Sequence, residues 1–479
     1  MIVTGILLLL ALIGAPLFVI VGAVTAACFV MYTGKVAVFA DFGWVIEPLE
    51  ELLGKDQFLA IPLFIASGAI MTHGGLARRL VDVARACFGW LPGGLGITAV
   101  VSCMFFAAIS GSSPVTLIAV GSIMFPAMVQ SRYPENFSLG LVMTAGSLGC
   151  LVPPALVLVI YSIAVMGGRA SVDPSDMFVA AAVPAIGIAL FLMAYCFIVG
   201  FRIPGERQKF SFAEIKRAVA EGVWALLLPV IVIGGILTGM FPPFKAGGVA
   251  VAYSLIVTVF IHREIGPRQV IAVLADAGKL MGMLILVIGL SFSLNKLLDL
   301  IDVDQQVIDL INAWELGPVG FMLLVNVVLV VLGALMDSIS ATLIFAPILA
   351  PIAVEHYGID PLHFGVVFVV NMEIGYLAPP VATNLFVASA LFKKPFGQVC
   401  RAILPGLGIT CAALVLFMYV PTCSKGLTNL QHDEPVWESF PWDGKPVEQN
   451  VAGRGAGLEA VLKKHSIEGD GASPAAQDG

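Results

Sequence analysis

Charge is what this sequence has least of. Of its 479 residues only 12% are Asp, Glu, Lys or Arg, about half the share of an ordinary globular chain. That scarcity, beside 59% hydrophobic residues, excludes a soluble domain and also excludes disorder over most of the length, since disorder needs polarity. There is no basic excess: 25 Lys and Arg against 32 Asp and Glu leave a net charge of −7, so nothing points to nucleic acid. No Cys-x-x-Cys pair occurs among the eight cysteines, at 28, 87, 103, 150, 196, 400, 411 and 423. Nearly all lie in apolar runs and read as small hydrophobes, not as a metal or disulfide framework. What is abundant is glycine (50) and proline (29) inside a chain of mean hydropathy +0.99. Membrane helices tolerate both residues better than soluble helices do.

About 20 apolar residues cross a bilayer as a helix. Stretches 3–31, 56–73, 137–166, 177–200, 222–241, 246–262, 281–296, 363–392 and 400–420 approach or meet that length. Two more apolar regions, 93–130 and 318–353, are interrupted by small polar centres. The expected fold class is an all-α polytopic membrane protein. Amphipathic stretches from Leu76 to Trp90, Lys209 to Glu221 and Asp299 to Glu315 read as interfacial helices. Arg202, Arg207, Lys209, Lys216 and Arg217 place loop 201–221 in the cytoplasm by the positive-inside rule, and Lys393, Lys394 and Arg401 return there. Beyond 423 the composition changes: 424–479 holds 5 basic and 9 acidic residues and no span, and reads as a polar, disordered tail.

The chain matches itself at a shift of 226 residues without a gap. Pro92 and Gly94 fall on Pro318 and Gly320, and Ser112 and Thr116 on Ser338 and Thr342. Gly149, Leu151, Pro153 and Pro154 fall on Gly375, Leu377, Pro379 and Pro380. Repeat 1 covers about 56–200, repeat 2 about 281–420, and 201–280 links them. Backbone that leaves the helix at membrane depth survives only if buried in protein or lining a wet cavity. Ser110-Gly-Ser-Ser-Pro114 and Met336-Asp-Ser-Ile-Ser340 therefore read as tips of two re-entrant hairpins. The Pro-Pro pairs cannot continue a helix, so 137–166 and 363–392 read as discontinuous helices. Five crossings between the tips, an odd number, make the repeat inverted. Inverted repeats with broken helices at the midplane are the plan of secondary transporters, where half-helix N-termini face anionic substrate groups and freed oxygens take Na⁺.

The first Na⁺ candidates are Ser110, Gly111, Ser112, Ser113 and Thr116 with carbonyls near Gly146 and Gly149; the second are Asp337, Ser338, Ser340 and Thr342 with Thr383 and Asn384. The substrate anion is expected against the tips and breaks, at Ser112, Ser113, Thr116, Pro153, Pro154, Pro379, Pro380, Thr383 and Asn384. A single membrane Ser or Thr usually bonds the carbonyl one turn back; the cluster is the signal. Asp337 and Glu373 stand out because ionisable groups at membrane depth are costly and mark function. For Asp337 a fixed structural hydrogen bond competes with cation binding, and for Glu373 a buried cap or an interfacial anchor does.

At these residues the chain resembles the large membrane subunit of the tripartite ATP-independent periplasmic (TRAP) transporters. ISGSSPVTLIAVGSIMFPAM (109–128) and MDSISATLIFAPILAPI (336–352) resemble that family's hairpins; LGCLVPP (148–154) and EIGYLAPPVATNLFVAS (373–389) resemble its broken helices, and ARRLVDVARACFGWLPGGL (77–95) the arm leading in. The resemblance covers about 1–423. It implies an elevator-type permease of the bacterial inner membrane that imports an organic anion, usually a carboxylate, with Na⁺ as coupling ion. It also implies two partners, a small membrane subunit and a periplasmic substrate-binding protein. Three positions depart from the family pattern: Ala155 replaces a frequent Ser, Lys245 in Pro242-Pro-Phe-Lys-Ala246 replaces an acidic residue, and Ala382 replaces a Gly. A stand-alone Na⁺/dicarboxylate symporter is the alternative. An intramembrane hydrolase would need a base for Ser112 or Ser113, and His73, the one histidine of the first half, is not tied to that tip.

Overall fold

The computed structural model describes residues 56–166, 170–202, 209–300, 316–379 and 382–432, with isolated positions at 19–27, 54 and 435–440. Apart from these, the segment 3–31, the acidic stretch 301–315, Pro380 and the tail lie outside the described residues. Among the described residues there is no strand. A 3₁₀ turn, Asp56–Leu59, enters α1 (Ala60–His73), and α2 (Leu76–Phe88) leaves it at a 72° bend. α2 buries Leu76, Leu80 and Ala84 at four-residue spacing, and Arg79 pairs with Glu264 at 2.5 Å, as an interfacial helix would.

The first hairpin is α3 (Gly94–Ser110) and α4 (Ser113–Gln130). The broken helix that follows is α5 (Glu135–Ser147), a 3₁₀ turn at Leu148–Cys150, non-helical backbone, then α6 (Leu156–Ala164). Next come α7 (Pro174–Gly200), α8 (Phe212–Leu237), α9 (Pro243–Leu255, running on through Ile261) and α10 (Pro267–Leu300). The second hairpin is α11 (Pro318–Leu335) and α12 (Ser338–Pro351); the second broken helix is α13 (Pro361–Gly375) and α14 (Thr383–Phe392). α15 (Phe396–Met418) and α16 (Thr422–Gln431) complete the order.

Two expectations change. Residues 212–221 do not form a separate interfacial helix but the first turns of α8: the Ser211 hydroxyl accepts from the Glu214 amide at 3.3 Å, and after that cap nothing stops the helix before Thr238. The polar tail begins later than 424, because α16 packs on α7 and α13. It does so through polar groups. Lys425, its side chain 4% exposed, pairs with Asp360 at 2.9 Å, and Ser424 meets His363 Nδ1 at 2.7 Å.

The repeat is physically present in the packing. α4 packs on α14 and α12 on α6; α5 packs on α15 and α13 on α7. A shift of 226 carries α4 to α12, α6 to α14, α5 to α13 and α7 to α15, so each contact exchanges for its mate, as under a two-fold axis. The Ser147 hydroxyl donates to Glu373 Oε1 at 2.9 Å, and these two residues are themselves 226 apart. A residue can touch its own repeat mate only on the axis. Between the tips the described residues hold α5/α6, α7, α8, α9 and α10, of which α7, α8 and α9 with its extension are long and apolar enough to cross a membrane.

Candidate functional site

Both hairpins break where expected. Gly111 closes α3 at φ +60, a conformation glycine takes without a Cβ penalty. Its carbonyl accepts from the Leu156 amide at 3.2 Å, so the first tip is bolted to the start of α6. Ser110 and Thr116 hydroxyls lie 2.9 Å apart, and Thr116 donates to the Ser112 carbonyl at 2.8 Å. Gly149 lies flat on that carbonyl: a Cβ there would be 2.5 Å from it. At the second tip Asp337 is the N-cap of α12, accepting from the Ser340 amide at 3.0 Å and its hydroxyl at 2.6 Å. The Ser338 hydroxyl donates to the Tyr376 hydroxyl at 3.0 Å. Each tip thus lies against the middle of a broken helix, which places it at membrane depth.

The two tips meet through residues that sequence reading did not single out. The Cys150 thiol is approached by Ser113 of the first tip and by Ser338 of the second. Tyr376, its repeat mate, takes Ser338 from the other side. Asn384 Nδ2 donates to the Ser113 hydroxyl at 2.6 Å; the structure therefore joins Asn384 to the first cluster and not to the Asp337 cluster. Thr383 is exposed at the start of α14, Pro379 is exposed, and Pro153, Pro154 and Thr342 are buried. Glu373 is 0% exposed, which removes the interfacial-anchor reading. Cys150, Tyr376 and Ser147 each lie on a Gly-centred break, and the repeat register was the signal that could have found them.

Four helices begin at this centre: α4 at Ser113, α6 at Leu156, α12 at Ser338 and α14 at Thr383. Each N-terminus carries about half a positive charge; at α12 the Asp337 carboxylate already takes the Ser340 amide, and at α6 the Leu156 amide is held by the Gly111 carbonyl. Three buried oxygens here have no hydrogen-bond partner: Thr342 Oγ1, Asn384 Oδ1 and Glu373 Oε2. Hard oxygens of this kind suit Na⁺, and the Thr116–Ser112 pair supplies a hydroxyl and a carbonyl of the same class.

Two cavities lie off-centre. One of about 440 Å³ opens beside Pro153, lined by Met104, Phe105, Phe178, Pro229 and Ile233; its walls are hydrocarbon and unsuited to a carboxylate. A smaller one, about 150 Å³, lies at the outer end of α5 between Asn136, Tyr195 and Arg401. At that end Lys394 pairs with Glu135 and holds its carboxyl below the usual range, chiefly by hydrogen bonding.

Paired hairpins and paired broken helices that exchange their contacts two-fold fit a secondary-transporter permease. The chain belongs to the family described as "Tripartite ATP-independent periplasmic transporter, DctM component", whose profile matches residues 4–423. It is 43% identical over 373 residues to the C4-dicarboxylate TRAP transporter large permease protein DctM of Pseudomonas aeruginosa, covering 78% of this chain and 86% of that one. The Rhodobacter capsulatus protein of the same name is 36% identical over 448 residues, 90% of this chain and 99% of that one. The 2,3-diketo-L-gulonate TRAP transporter large permease protein YiaN of Escherichia coli is 33% identical over 371 residues, 77% and 86% of the two chains. Among solved structures, the YdaH transporter of Alcanivorax borkumensis superposes with a TM-score of 0.54 at 12% identity, over 83% of this chain and 89% of that one; that likeness concerns the fold alone. The chain is a multi-pass permease subunit of the bacterial inner membrane, in a family of transporters and not of enzymes.

Proposed function

We propose that this permease imports a small organic anion of the C4-dicarboxylate class by Na⁺ symport. A periplasmic binding protein delivers the anion, and a small membrane subunit stands alongside. The observation that carries the anion is the convergence of four helix N-termini, those of α4, α6 and α12 buried and that of α14 opening at the exposed Thr383. No lysine, arginine or histidine among the described residues bonds to the tips, so the anion is held by backbone amides and hydroxyls, and recognition is left to the delivering protein. The dicarboxylate class follows from relatives whose names carry it at 43% and 36% identity. The unpartnered oxygens and the tip carbonyls support Na⁺ as the coupling ion. The hairpins and broken helices move as the elevator, and the hydrocarbon-walled seam between α7 and α8 offers a surface without polar bonds to slide along.

The test is uptake of radiolabelled succinate by proteoliposomes holding the chain and its small subunit, with a Na⁺ gradient, with and without the binding protein. Uptake that ignores Na⁺ overturns the coupling, and uptake that persists without the binding protein assigns the chain to the stand-alone class. Asp337→Asn sharpens the test. Asparagine caps a helix about as well as aspartate, so α12 stays folded while the half-buried charge at the tip is lost. Na⁺ stimulation is expected to fall about tenfold or more, the equivalent of about 1.4 kcal/mol. Unchanged Na⁺ dependence leaves Asp337 as a cap only.

A further inference from the structure

The small cavity at the outer end of α5 has no part in the transport site. Three helices build it. α5 and α15 press together through glycine: a Cβ at Gly140 would strike the Ala402 carbonyl, and one at Gly406 the Thr144 hydroxyl. α7 meets them across the Phe137 and Tyr195 rings, whose centroids are 5.4 Å apart. The gap between the three has Asn136, Thr144, Tyr195 and Arg401 as its polar lining. Thr144 donates to the Gly140 carbonyl at 2.9 Å, and Asn136 Oδ1 accepts from Gln398 at 3.0 Å. Among the described residues nothing bonds to the Arg401 guanidinium, the Tyr195 hydroxyl or Asn136 Nδ2. Three donors thus share one cavity and have no acceptor.

The level of the cavity in the membrane follows from its surroundings. Tyr195 lies near the end of α7 and Arg401 near the start of α15, so both basic segments that the positive-inside rule assigns to the cytoplasm flank it. Segments 130–137 and 393–401 at this end hold Arg132, Lys393, Lys394 and Arg401 against one acid, Glu135, which Lys394 already takes. Tyr133 stacks on Phe137, which in turn meets Tyr195, an aromatic group of the kind found at headgroup level. One turn deeper the surface is hydrocarbon: Leu404 on α15 and Phe191 on α7 are exposed. Each is three or four residues from Arg401 or Tyr195 and so lies on the same helix face.

From this arrangement we propose that the cavity binds the phosphate of an anionic phospholipid of the cytoplasmic leaflet. The Arg401 fork matches two phosphate oxygens, Tyr195 and Asn136 donate to the others, and the acyl chains run along Leu404 and Phe191. Hydrocarbon directly below the charge favours a lipid phosphate over a free one, and basic pockets between helices on the cytoplasmic side suit such headgroups. The lipid ties α5 and α7 of the first repeat to α15 of the second. The site does not rest on Na⁺ coupling or on the imported anion.

The test titrates the purified full chain, in uncharged detergent and without substrate, with phosphatidylglycerol, phosphatidylcholine or inorganic phosphate. Native mass spectrometry reads the lipid retained, and thermal melting reads stability. The wild type is expected to retain phosphatidylglycerol and to melt higher with it, since a ligand of the folded state stabilises that state; the other two probes should do neither. Arg401→Gln should weaken phosphatidylglycerol binding about tenfold or more, and Arg401→Lys, which keeps the charge without the fork, should weaken it less. Arg202→Gln removes a basic residue of the same end that does not line the cavity, and should bind as the wild type does. Equal binding by the wild type and Arg401→Gln overturns the inference, as does an equal loss in Arg202→Gln. Equal effects of phosphatidylcholine would leave only an apolar seam, and equal effects of inorganic phosphate only a site for free anions; either result overturns it too. The comparison of the three probes on the wild type stands even if a variant does not fold.

Discussion

Alanine at position 149 stops transport while leaving the chain folded. A methyl group there would lie 2.5 Å from the Ser112 oxygen, 2.6 Å from the Ser112 carbonyl carbon and 2.7 Å from the Ser113 nitrogen. All three are backbone atoms, so no side chain can swing aside and the tip itself must move. Overpacking of this kind costs about 1–3 kcal/mol, a few degrees of melting temperature in a chain this long. The functional loss is larger, because the displaced atoms are those that bear the site: the Ser112 carbonyl holds Thr116, and Ser113 holds Asn384 and Cys150. Uptake should drop at least about tenfold with a melting temperature close to that of the wild type. Gly248→Ala is the control, since nothing lies within 4 Å of its added methyl and neither readout should change. Wild-type uptake by Gly149→Ala would mean that the first break does not hold the first tip.

The second large effect is on stability. Asp360 caps α13, accepting from the Leu362 and His363 amides at 2.9 and 3.2 Å, and pairs with a lysine whose side chain is only 4% exposed. Asp360→Ala removes the cap of α13 and the carboxylate that Lys425 meets at 2.9 Å. Loss of an N-cap alone costs about 1 kcal/mol, and breaking a buried ion pair from one side costs more, up to about 3–5 kcal/mol. Asp360→Asn, which keeps a capping oxygen and removes the charge, should lose less than Asp360→Ala. Thermal melting of the purified proteins decides it: a melting temperature of Asp360→Ala equal to that of the wild type would show that neither the cap nor the pair holds α13.

Much of the fold was legible because membrane depth punishes irregular backbone. Ser110-Gly-Ser-Ser-Pro114 and the two Pro-Pro pairs could not sit in a lipid-facing helix, so their places marked tips and breaks before any coordinates. The register of 226 predicts that the two repeats pair, and the Ser147–Glu373 bond between repeat mates is such a pairing. Local signals were weaker guides where one helix absorbs another. The Ser211 cap starts α8 ten residues before the apolar run, and polarity alone made those residues look separate. By its polarity alone α16 reads as tail. The burial of its residues depends on Asp360 and His363, some 60 residues away, and no local pattern reports such partners.

The sequence by itself determined that this protein lives in lipid, that its helices break at four places, and that those places come in two matched pairs. Each is a local matter of hydropathy, proline chemistry and self-similarity. The tertiary structure decided which breaks meet. It brought Cys150 between the two tips, placed Asn384 on the first cluster and not the second, made Asp337 a helix cap, and left Glu373 on the axis with one free oxygen. Those facts depend on contacts between residues as much as 271 apart. The two-fold folding of one repeat against the other creates such contacts, and a linear pattern has no means to specify them.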